Sequence, residues 1–240
     1  MNIKFKNKLI ASSIHLIVSA IALSLFLIVI FFIWFPNNLF LAGASRGLSI
    51  LILVDIVLGP LLTFVVYNKH KKSLKFDLSC IVALQIGCFI YGAQLIYQER
   101  PILQLLAEDG INLITLREVN EFEMDTTYSF LSSPQYTLLK TEGDISQFVI
   151  NKVTYEVTRG KPYNSKTDLH INMKQVSKEV FSERVTFIRN NLTQQQLNNL
   201  DLLADQHPKK DCEWLPLISY HVEGYTCVDH NVGITDFKEM

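Results

Sequence analysis

Three long apolar stretches alternate with short polar segments in the first hundred residues. They cover residues 10–35, 47–67 and 76–97, and each has about the length, roughly 20 apolar residues, that is needed to cross the hydrocarbon core of a bilayer. Such stretches are too long for core strands and too uniformly apolar for the amphipathic helices of a soluble domain. We therefore predict three transmembrane helices surrounded by membrane lipid. A buried soluble three-helix core is the alternative interpretation.

Charged residues are spread throughout the chain after residue 99, and shorter periodic patterns appear there. Alternation of apolar and polar positions predicts half-buried strands, and apolar positions at intervals of three and four predict helix. The predicted elements are two strands, one helical segment and two closing strands, at residues 111–119, 146–158, 176–206, 215–222 and 232–237. These elements are enough for a small α+β domain with a core of its own.

The predicted fold class is thus a membrane protein with three transmembrane α-helices followed by a small α+β extracytoplasmic domain. The membrane domain covers residues 1–100 and the α+β domain residues 101–240. Lysine and arginine in the short flanks predict the orientation, because such residues accumulate on the cytoplasmic side. The lysines lie before the first span and after the second, at Lys4, Lys6, Lys8, Lys69, Lys71, Lys72 and Lys75. We therefore expect a cytoplasmic N-terminus and, after three crossings, a periplasmic domain.

The charge of the C-terminal part argues against a nucleic-acid partner. Residues 99–240 contain 21 acidic and 14 basic residues, a net charge of −7, whereas nucleic-acid binding requires a basic face that displaces counterions. The sequence also lacks a glycine-rich phosphate loop, HExxH, GxSxG and CxxC. We expect neither catalysis nor a cofactor.

The four cysteines fall into two pairs. Cys80 and Cys88 lie in the third predicted span, where free thiols behave as small apolar groups. Cys212 and Cys227 are 15 residues apart in the part predicted to be exported, where the oxidising environment favours a disulfide. Two unpaired thiols are the alternative. A zinc site fits less well, because paired ligands at short spacing are missing.

Histidines and aspartates near the C-terminus are a weak candidate for a metal site. They are Asp205, His207, Asp211, His221, Asp229 and His230. Their spacings do not repeat at the three- or four-residue intervals that place ligands on one helix face. We interpret them as solvated loop residues, and no metal is expected.

Asp55 lies well inside the second predicted span. A carboxylate there costs several kcal/mol unless it is protonated, paired or turned into a helix bundle. Gly59 and Pro60 follow closely, and they would loosen the helix and let another helix approach. The candidate polar partners on the other spans are His15, Ser19, Gln85 and Gln94. The alternative is that water or Arg46 reaches Asp55 from the outer interface.

The segments "VDIVLGPLLTFVVYNKHKKSLKFDL", "ALQIGCFIYG" and "ERP", together with "WFP" after the first span, resemble the TfpX/TfpZ family of type IV pilin accessory proteins. The resemblance covers about the first hundred residues. The matching positions are Trp34, Pro36, Asp55, Gly59, Pro60, Leu61, Leu62, Thr63, Lys72, Asp77, Gln85, Tyr91, Gly92, Arg100 and Pro101.

The resemblance implies a non-enzymatic inner-membrane factor that supports the assembly or stability of a cognate major pilin. Other pilus assembly proteins are further candidate partners. Before assembly, the pilins that the resemblance implies as partners are embedded in the membrane as single apolar helices. Each has an N-terminal amine and a glutamate near the helix start. We hypothesise that Asp55 offers such a helix a polar contact within lipid. The other residues expected to contribute to pilin or helix contacts are Gly59, Pro60, Gln85, Tyr91, Gly92, Arg100 and Pro101. The alternative function is a membrane sensor with a periplasmic ligand-binding domain.

Overall fold

Long apolar helices and a mixed β-sheet occupy separate units of the chain. The computed structural model describes residues 3–37, 39, 43–141, 145–206, 212–219 and 223–239. One unit consists of Met1–Ile33 and Gly43–Glu99, and the other of Trp34–Ala42 and Arg100–Met240. We call them the membrane unit and the C-terminal unit.

Among the residues that the structure describes, three helices are long and apolar enough to cross a membrane, which confirms the prediction from the hydrophobic pattern. They are Phe5–Trp34, Gly47–Val66 and Leu74–Glu99, here called the first, second and third span. The first begins before residue 10 because helix α1 already includes Lys6 and Lys8. The helical segments are α1 (Ile3–Val29) followed by π-helical Ile30–Trp34, α2 (Ser45–Leu51) followed by π-helical Ile52–Leu58 and α3 (Gly59–Val66), and α4 (Leu74–Glu99).

Glycines bring the second and third spans into close contact. A Cβ atom on Gly47 would lie 2.8 Å from the Gly92 carbonyl oxygen and would overlap Ile96. A Cβ atom on Gly92 would lie 2.9 Å from Leu51 Cγ. Because helices in lipid associate through van der Waals packing, small residues at their crossing let the backbones approach. Gly92 therefore contributes to the packing of the bundle.

The C-terminal unit contains a seven-stranded mixed sheet with the strand order β4-β3-β1-β2-β5-β6-β7. Its strands are β1 (Pro101–Leu106), β2 (Ile111–Thr115), β3 (Gln135–Leu139), β4 (His170–Asn172), β5 (Glu213–Ile218), β6 (Glu223–Asp229) and β7 (Gly233–Glu239). The pairs β1–β3 and β2–β5 are parallel, and the other neighbours are antiparallel. The sheet curls, so that Ile234 N in β7 donates to Gln104 Oε1 in β1 at 3.0 Å.

In its described part this unit also contains the α-helices α5 (Leu116–Glu121), α6 (Ile145–Arg159), α7 (Lys178–Asn190) and α8 (Gln194–Gln206). The predicted α+β class is therefore confirmed. The predicted helical segment 176–206 is two helices, because Thr193 accepts from Gln196 N and so starts a new helix. The predicted strand 111–119 ends early for a similar reason, since Thr115 and Glu118 form a capping box that begins α5.

The predicted strand at residues 146–158 is wrong, because this segment is helix α6. Its many valines and threonines favour a strand by composition. In the structure Val149, Val153 and Val157 lie four residues apart on the exposed face, and Phe148 is buried on the opposite one. Phe148 packs edge-to-face against Tyr163 at a centroid distance of 5.5 Å. Tertiary packing thus overrides the local preference.

Candidate functional site

Asp55 faces the neighbouring helices of the membrane unit. It lies in the π-helical segment Ile52–Leu58, and only 7% of its surface is exposed. Turns of this kind close hydrogen bonds over five residues, as the bond from Gly59 N to Val54 O does here. They end just before Pro60, whose ring would clash with the carbonyl group four residues earlier in a regular α-helix. The local sequence therefore accounts for the wide turns that carry Asp55.

A chain of hydrogen bonds connects Asp55 to all three spans. The Gln85 amide group hydrogen-bonds the Asp55 carboxyl group. Gln85 Oε1 lies 2.6 Å from His15 Nε2, and His15 Nδ1 lies 2.5 Å from Thr63 Oγ1. Each member thereby replaces contacts with water that the bilayer does not offer. Two of the polar partners predicted from the sequence, His15 and Gln85, are thus brought together with Asp55.

The direction of these hydrogen bonds follows from the groups involved. An amide oxygen can only accept, so His15 Nε2 carries a proton and donates to Gln85. The amide nitrogen of Gln85 is then its donor to Asp55. The other ring nitrogen of His15, Nδ1, pairs with the Thr63 hydroxyl group, which can either donate or accept. Asp55 therefore receives its hydrogen bond from an uncharged group.

Gly59 is required by the position of Gln85. A Cβ atom at residue 59 would overlap the Gln85 amide nitrogen and would lie 2.8 Å from its Cδ atom. The neighbouring Pro60 contributes through its carbonyl oxygen, which accepts from Ser12 Oγ at 2.8 Å. Gly59 and Pro60 thus let polar groups of the other two spans reach the second span.

An elongated groove separates the first and third spans beside this hydrogen-bond chain. It consists of two cavities of about 460 and 390 Å³ that share His15 and Val82 in their walls. The larger cavity is lined by Val18, Ser19 and Ala22 of the first span, Ile86 and Phe89 of the third, and Asp55 of the second. A mainly apolar groove with a few convergent polar groups is a typical binding site. Its elongated shape and its lining would suit an apolar helix that carries one polar group.

The other residues of the predicted contact set lie elsewhere in the membrane unit. Gly92 is at the crossing with Gly47, as described above, and Tyr91 is exposed on the outside of the third span. Gln94, a candidate partner of Asp55, is exposed as well. Asp77 forms an ion pair with Lys71 at 2.5 Å, near the start of the third span. The structure therefore does not bring these residues to Asp55.

Arg100 and Pro101 belong to the C-terminal unit. The Arg100 side chain is fully buried, and its guanidinium group donates to the carbonyl oxygens of Ser129 and Phe130, both at 2.8 Å. Pro101 is the first residue of β1 and is also buried. In this structure the pair anchors a loop and starts the sheet.

Cys212 and Cys227 are joined in a disulfide, the pairing that the sequence favours, whereas Cys80 and Cys88 are free. The disulfide connects the start of β5 with β6, where Cys227 is buried against Trp214 and Leu200. It closes a loop of 15 residues in sequence separation. The bond therefore reinforces one pair of neighbouring strands.

The structure describes some of the candidate metal-site residues near the C-terminus. His207, Asp211 and His221 lie outside the described residues. His230 Nε2 donates to the Val176 carbonyl oxygen at 2.9 Å, and Asp229 accepts from Asn231 N and Val232 N in the β6–β7 turn. Within the part of the chain that the structure describes, no three histidine, cysteine or acidic residues are grouped as metal ligands.

Two half-buried titratable groups of the C-terminal unit have pKa values that are shifted mainly by desolvation. Burial raises the pKa of Tyr136 above its ordinary value, and the nearby Asp229 carboxylate acts in the same direction. Burial lowers the pKa of His170, although His170 donates to the Asn164 carbonyl oxygen at 2.9 Å. Both shifts follow from desolvation of the charged form, although both residues are only half-buried by accessible surface.

Two glycines at and just before the start of the second span were not predicted to be packing positions. Gly43 and Gly47 form a GxxxG spacing, and both pack on the third span, against Glu99 and Ile96 respectively. The spacing is a known signal for close helix contact in membranes. It continues through Leu51, Asp55, Gly59 and Thr63, all of which are buried. A four-residue repeat of buried residues, all but Leu51 small or polar, therefore marks the inner face of this span.

Comparison with known proteins identifies relatives by sequence. No protein-family model and no solved structure matches the chain. The fimbrial assembly protein of serogroup I from Dichelobacter nodosus is 27% identical over 246 aligned residues, which cover 95% of this chain and 93% of the relative. The protein of serogroup E1 is 26% identical over 240 residues, with the same coverage. The protein of serogroups C1 and C2 is 33% identical over 111 residues, which cover 45% of this chain and 85% of the relative. The chain therefore belongs to the family of fimbrial assembly proteins that these sequences represent.

Proposed function

We propose that this protein is a non-enzymatic accessory factor of pilus assembly in the inner membrane, and that it acts by binding its cognate pilin. Membership in the fimbrial assembly family supports the role in pilus assembly. The resemblance of the first hundred residues to TfpX/TfpZ proteins supports the accessory role and the pilin as partner. The C-terminal unit lies in the periplasm in this proposal.

The groove between the first and third spans is the observation that supports pilin binding. Its walls repeat every three to four residues, with Val18, Ser19 and Ala22 on one side and Ile86 and Phe89 on the other. This is the spacing at which two helices present one continuous face each. A single apolar helix laid between them would gain the packing that drives helix association in lipid.

Asp55 supplies the polar contact of this proposal. A carboxylate has two oxygen atoms and about four acceptor sites, and the hydrogen bond from Gln85 occupies one of them. A cation or an N–H donor on the partner helix would stabilise the buried carboxylate much more than an uncharged amide group does. The N-terminal amine of the pilin helix, the partner that the family resemblance implies, is a cation of this kind.

The sensor alternative receives less support from the structure. A cleft in the C-terminal unit, between Asn112, Phe122 and Ile218, has a volume of about 240 Å³. Ligand pockets usually measure roughly 300 to 1,000 Å³. We therefore retain the pilin-binding proposal as the conclusion.

Photo-crosslinking in living cells tests pilin binding. A photoreactive amino acid replaces Val18, which lines the groove, or Ile17, which does not line either cavity. Ile17 is the matched control for Val18, because the two residues are adjacent and are 59% and 60% exposed. We expect an adduct with the pilin from position 18 and little from position 17.

The other outcomes separate the two parts of the proposal. An adduct from position 17 alone would place the pilin on a different face and would refute the groove. If neither position gives an adduct, and the pilin does not copurify with the full-length protein from crosslinked membranes, pilin binding itself is refuted.

A further inference from the structure

A loop of the C-terminal unit presents large apolar side chains on its surface. We call residues 128–131, with the sequence Tyr-Ser-Phe-Leu, the aromatic loop. Phe130 and Leu131 are 55% and 62% exposed, and Tyr128 is exposed as well. Neighbouring apolar side chains in such a position are typical of a surface that contacts a partner or a membrane.

Two residues next to the membrane spans hold the aromatic loop. Trp34 Nε1 donates to the Phe130 carbonyl oxygen at 2.8 Å, and Arg100 donates to the same oxygen and to that of Ser129. The Trp34 and Phe130 rings meet edge-to-face at a centroid distance of 5.2 Å. The Arg100 guanidinium group lies 5.7 Å from the centre of the Tyr128 ring. The loop backbone is therefore fixed directly to Trp34 and Arg100.

Hydrogen bonds within the loop keep its shape. Ser129 N donates to Ser132 Oγ at 3.0 Å, and Ser132 Oγ donates back to the Ser129 carbonyl oxygen at 2.9 Å. Leu131 N donates to Ser129 Oγ at 3.3 Å. These polar groups are satisfied inside the loop, so the exposed Phe130 and Leu131 side chains are presented by an ordered backbone.

Chain connectivity places this loop at the level of a membrane surface. Trp34 is the last residue of the first span, and Arg100 follows directly after Glu99, the last residue of the third. Two crossings, those of the second and third spans, separate Trp34 from Arg100, so both residues emerge on the same side. The polar interface of a bilayer is roughly 5 to 8 Å thick on each side. We therefore expect a loop whose backbone accepts hydrogen bonds from both side chains close to this layer.

We propose that the aromatic loop is a lipid-contacting surface, with Phe130 and Leu131 inserted at the boundary between head groups and acyl chains. Tyr128, which is exposed beside them, is a residue type that favours this interface. Phenylalanine and leucine gain free energy by leaving water for the acyl boundary. The occupant is the bilayer in which the protein itself is embedded. This inference does not depend on pilin binding.

Site-directed spin labelling of the full-length protein in liposomes tests the proposal. The free cysteines Cys80 and Cys88 are replaced by alanine, and a label is attached at Leu131→Cys. Val232→Cys is the matched control, because Val232 lies in the β6–β7 turn of the same unit and is 66% exposed. Collisions of each label with oxygen, which concentrates in lipid, are compared with collisions with a water-soluble nickel chelate.

We expect the label at residue 131 to collide preferentially with oxygen, with an oxygen-to-nickel ratio several-fold higher than at residue 232. Equal ratios at the two positions, whether both labels are wet or both are shielded, would overturn the proposal. Spin–spin broadening at residue 131 that persists when the protein is diluted in lipid would show that a second copy covers the loop, and would also overturn it.

Discussion

At the scale of single residues, Gly59 allows the hydrogen-bond chain around Asp55 to form. Its missing side chain leaves the space that the Gln85 amide group occupies, and Gln85 joins Asp55 to His15. The Gln85 amide group lies at the end of a flexible side chain, so a methyl group at residue 59 would displace it without moving the helices. The displaced amide group would then lose both hydrogen bonds.

We therefore predict that Gly59→Ala folds but lowers the free energy of unfolding by about 1–3 kcal/mol, the usual result of leaving buried polar groups unpaired. Gly87→Ala is the matched control on the third span, because a Cβ atom there meets nothing within 4 Å. Thermal unfolding of both purified variants in lipid nanodiscs measures the difference. If Gly59→Ala is as stable as Gly87→Ala, the described position of Gln85 does not contribute to stability.

At the scale of secondary-structure elements, the second span combines a four-residue repeat with π-helical turns. An α-helix has 3.6 residues per turn, so a four-residue repeat drifts around the axis by about 40° per step. Turns that close over five residues rotate the repeat in the opposite direction. The π-helical segment Ile52–Leu58 lies in the middle of this repeat. It therefore helps to keep Gly47, Asp55 and Thr63 on the inner side of the bundle.

In the C-terminal unit, the disulfide Cys212–Cys227 cross-links two neighbouring strands of the sheet, so its removal should destabilise this unit. We predict that Cys212→Ser lowers the free energy of unfolding of this unit by about 2–4 kcal/mol, because a cross-link over 15 residues restricts the unfolded chain. Cys80→Ser changes a free cysteine of the third span and is the control. It should leave the free energy of unfolding of the C-terminal unit unchanged. Limited proteolysis across a urea gradient measures both. Equal midpoints for the two variants would contradict the prediction.

The sequence allows the spans to be predicted well because apolar length alone distinguishes them. The hydrogen-bond partners of Asp55 can be predicted in part, because the spans contain few polar residues that could pair with it. Gln94 is nine residues from Gln85, about two and a half turns, and so it faces the other way. Helix α6 could not be predicted, because its β-branched composition is overridden by the contact between Phe148 and Tyr163. The groove, likewise, depends on how far apart the first and third spans pack.

At the scale of the whole molecule, the two lysine-rich flanks lie at one end of the membrane unit. Lys8 Nζ donates to the Val65 carbonyl oxygen at 3.0 Å, which brings the start of the first span to the end of the second. The cluster Lys69 to Lys75 follows directly after that end. Because positive residues accumulate on the cytoplasmic side, this end is the one that the charge pattern predicts to be cytoplasmic. The chain then leaves the third span, after Glu99, at the opposite end.

Fusions to two reporters test this orientation. We predict that alkaline phosphatase, which is active only after export, is active when fused after Gly110 and inactive when fused after Lys72. Green fluorescent protein, which matures in the cytoplasm, should give the reverse pattern at the same two positions. The prediction follows from three crossings that begin at a lysine-rich flank. Active phosphatase after Lys72 together with fluorescence after Gly110 would contradict the prediction. It would place the C-terminal unit in the cytoplasm, where a disulfide such as Cys212–Cys227 is reduced.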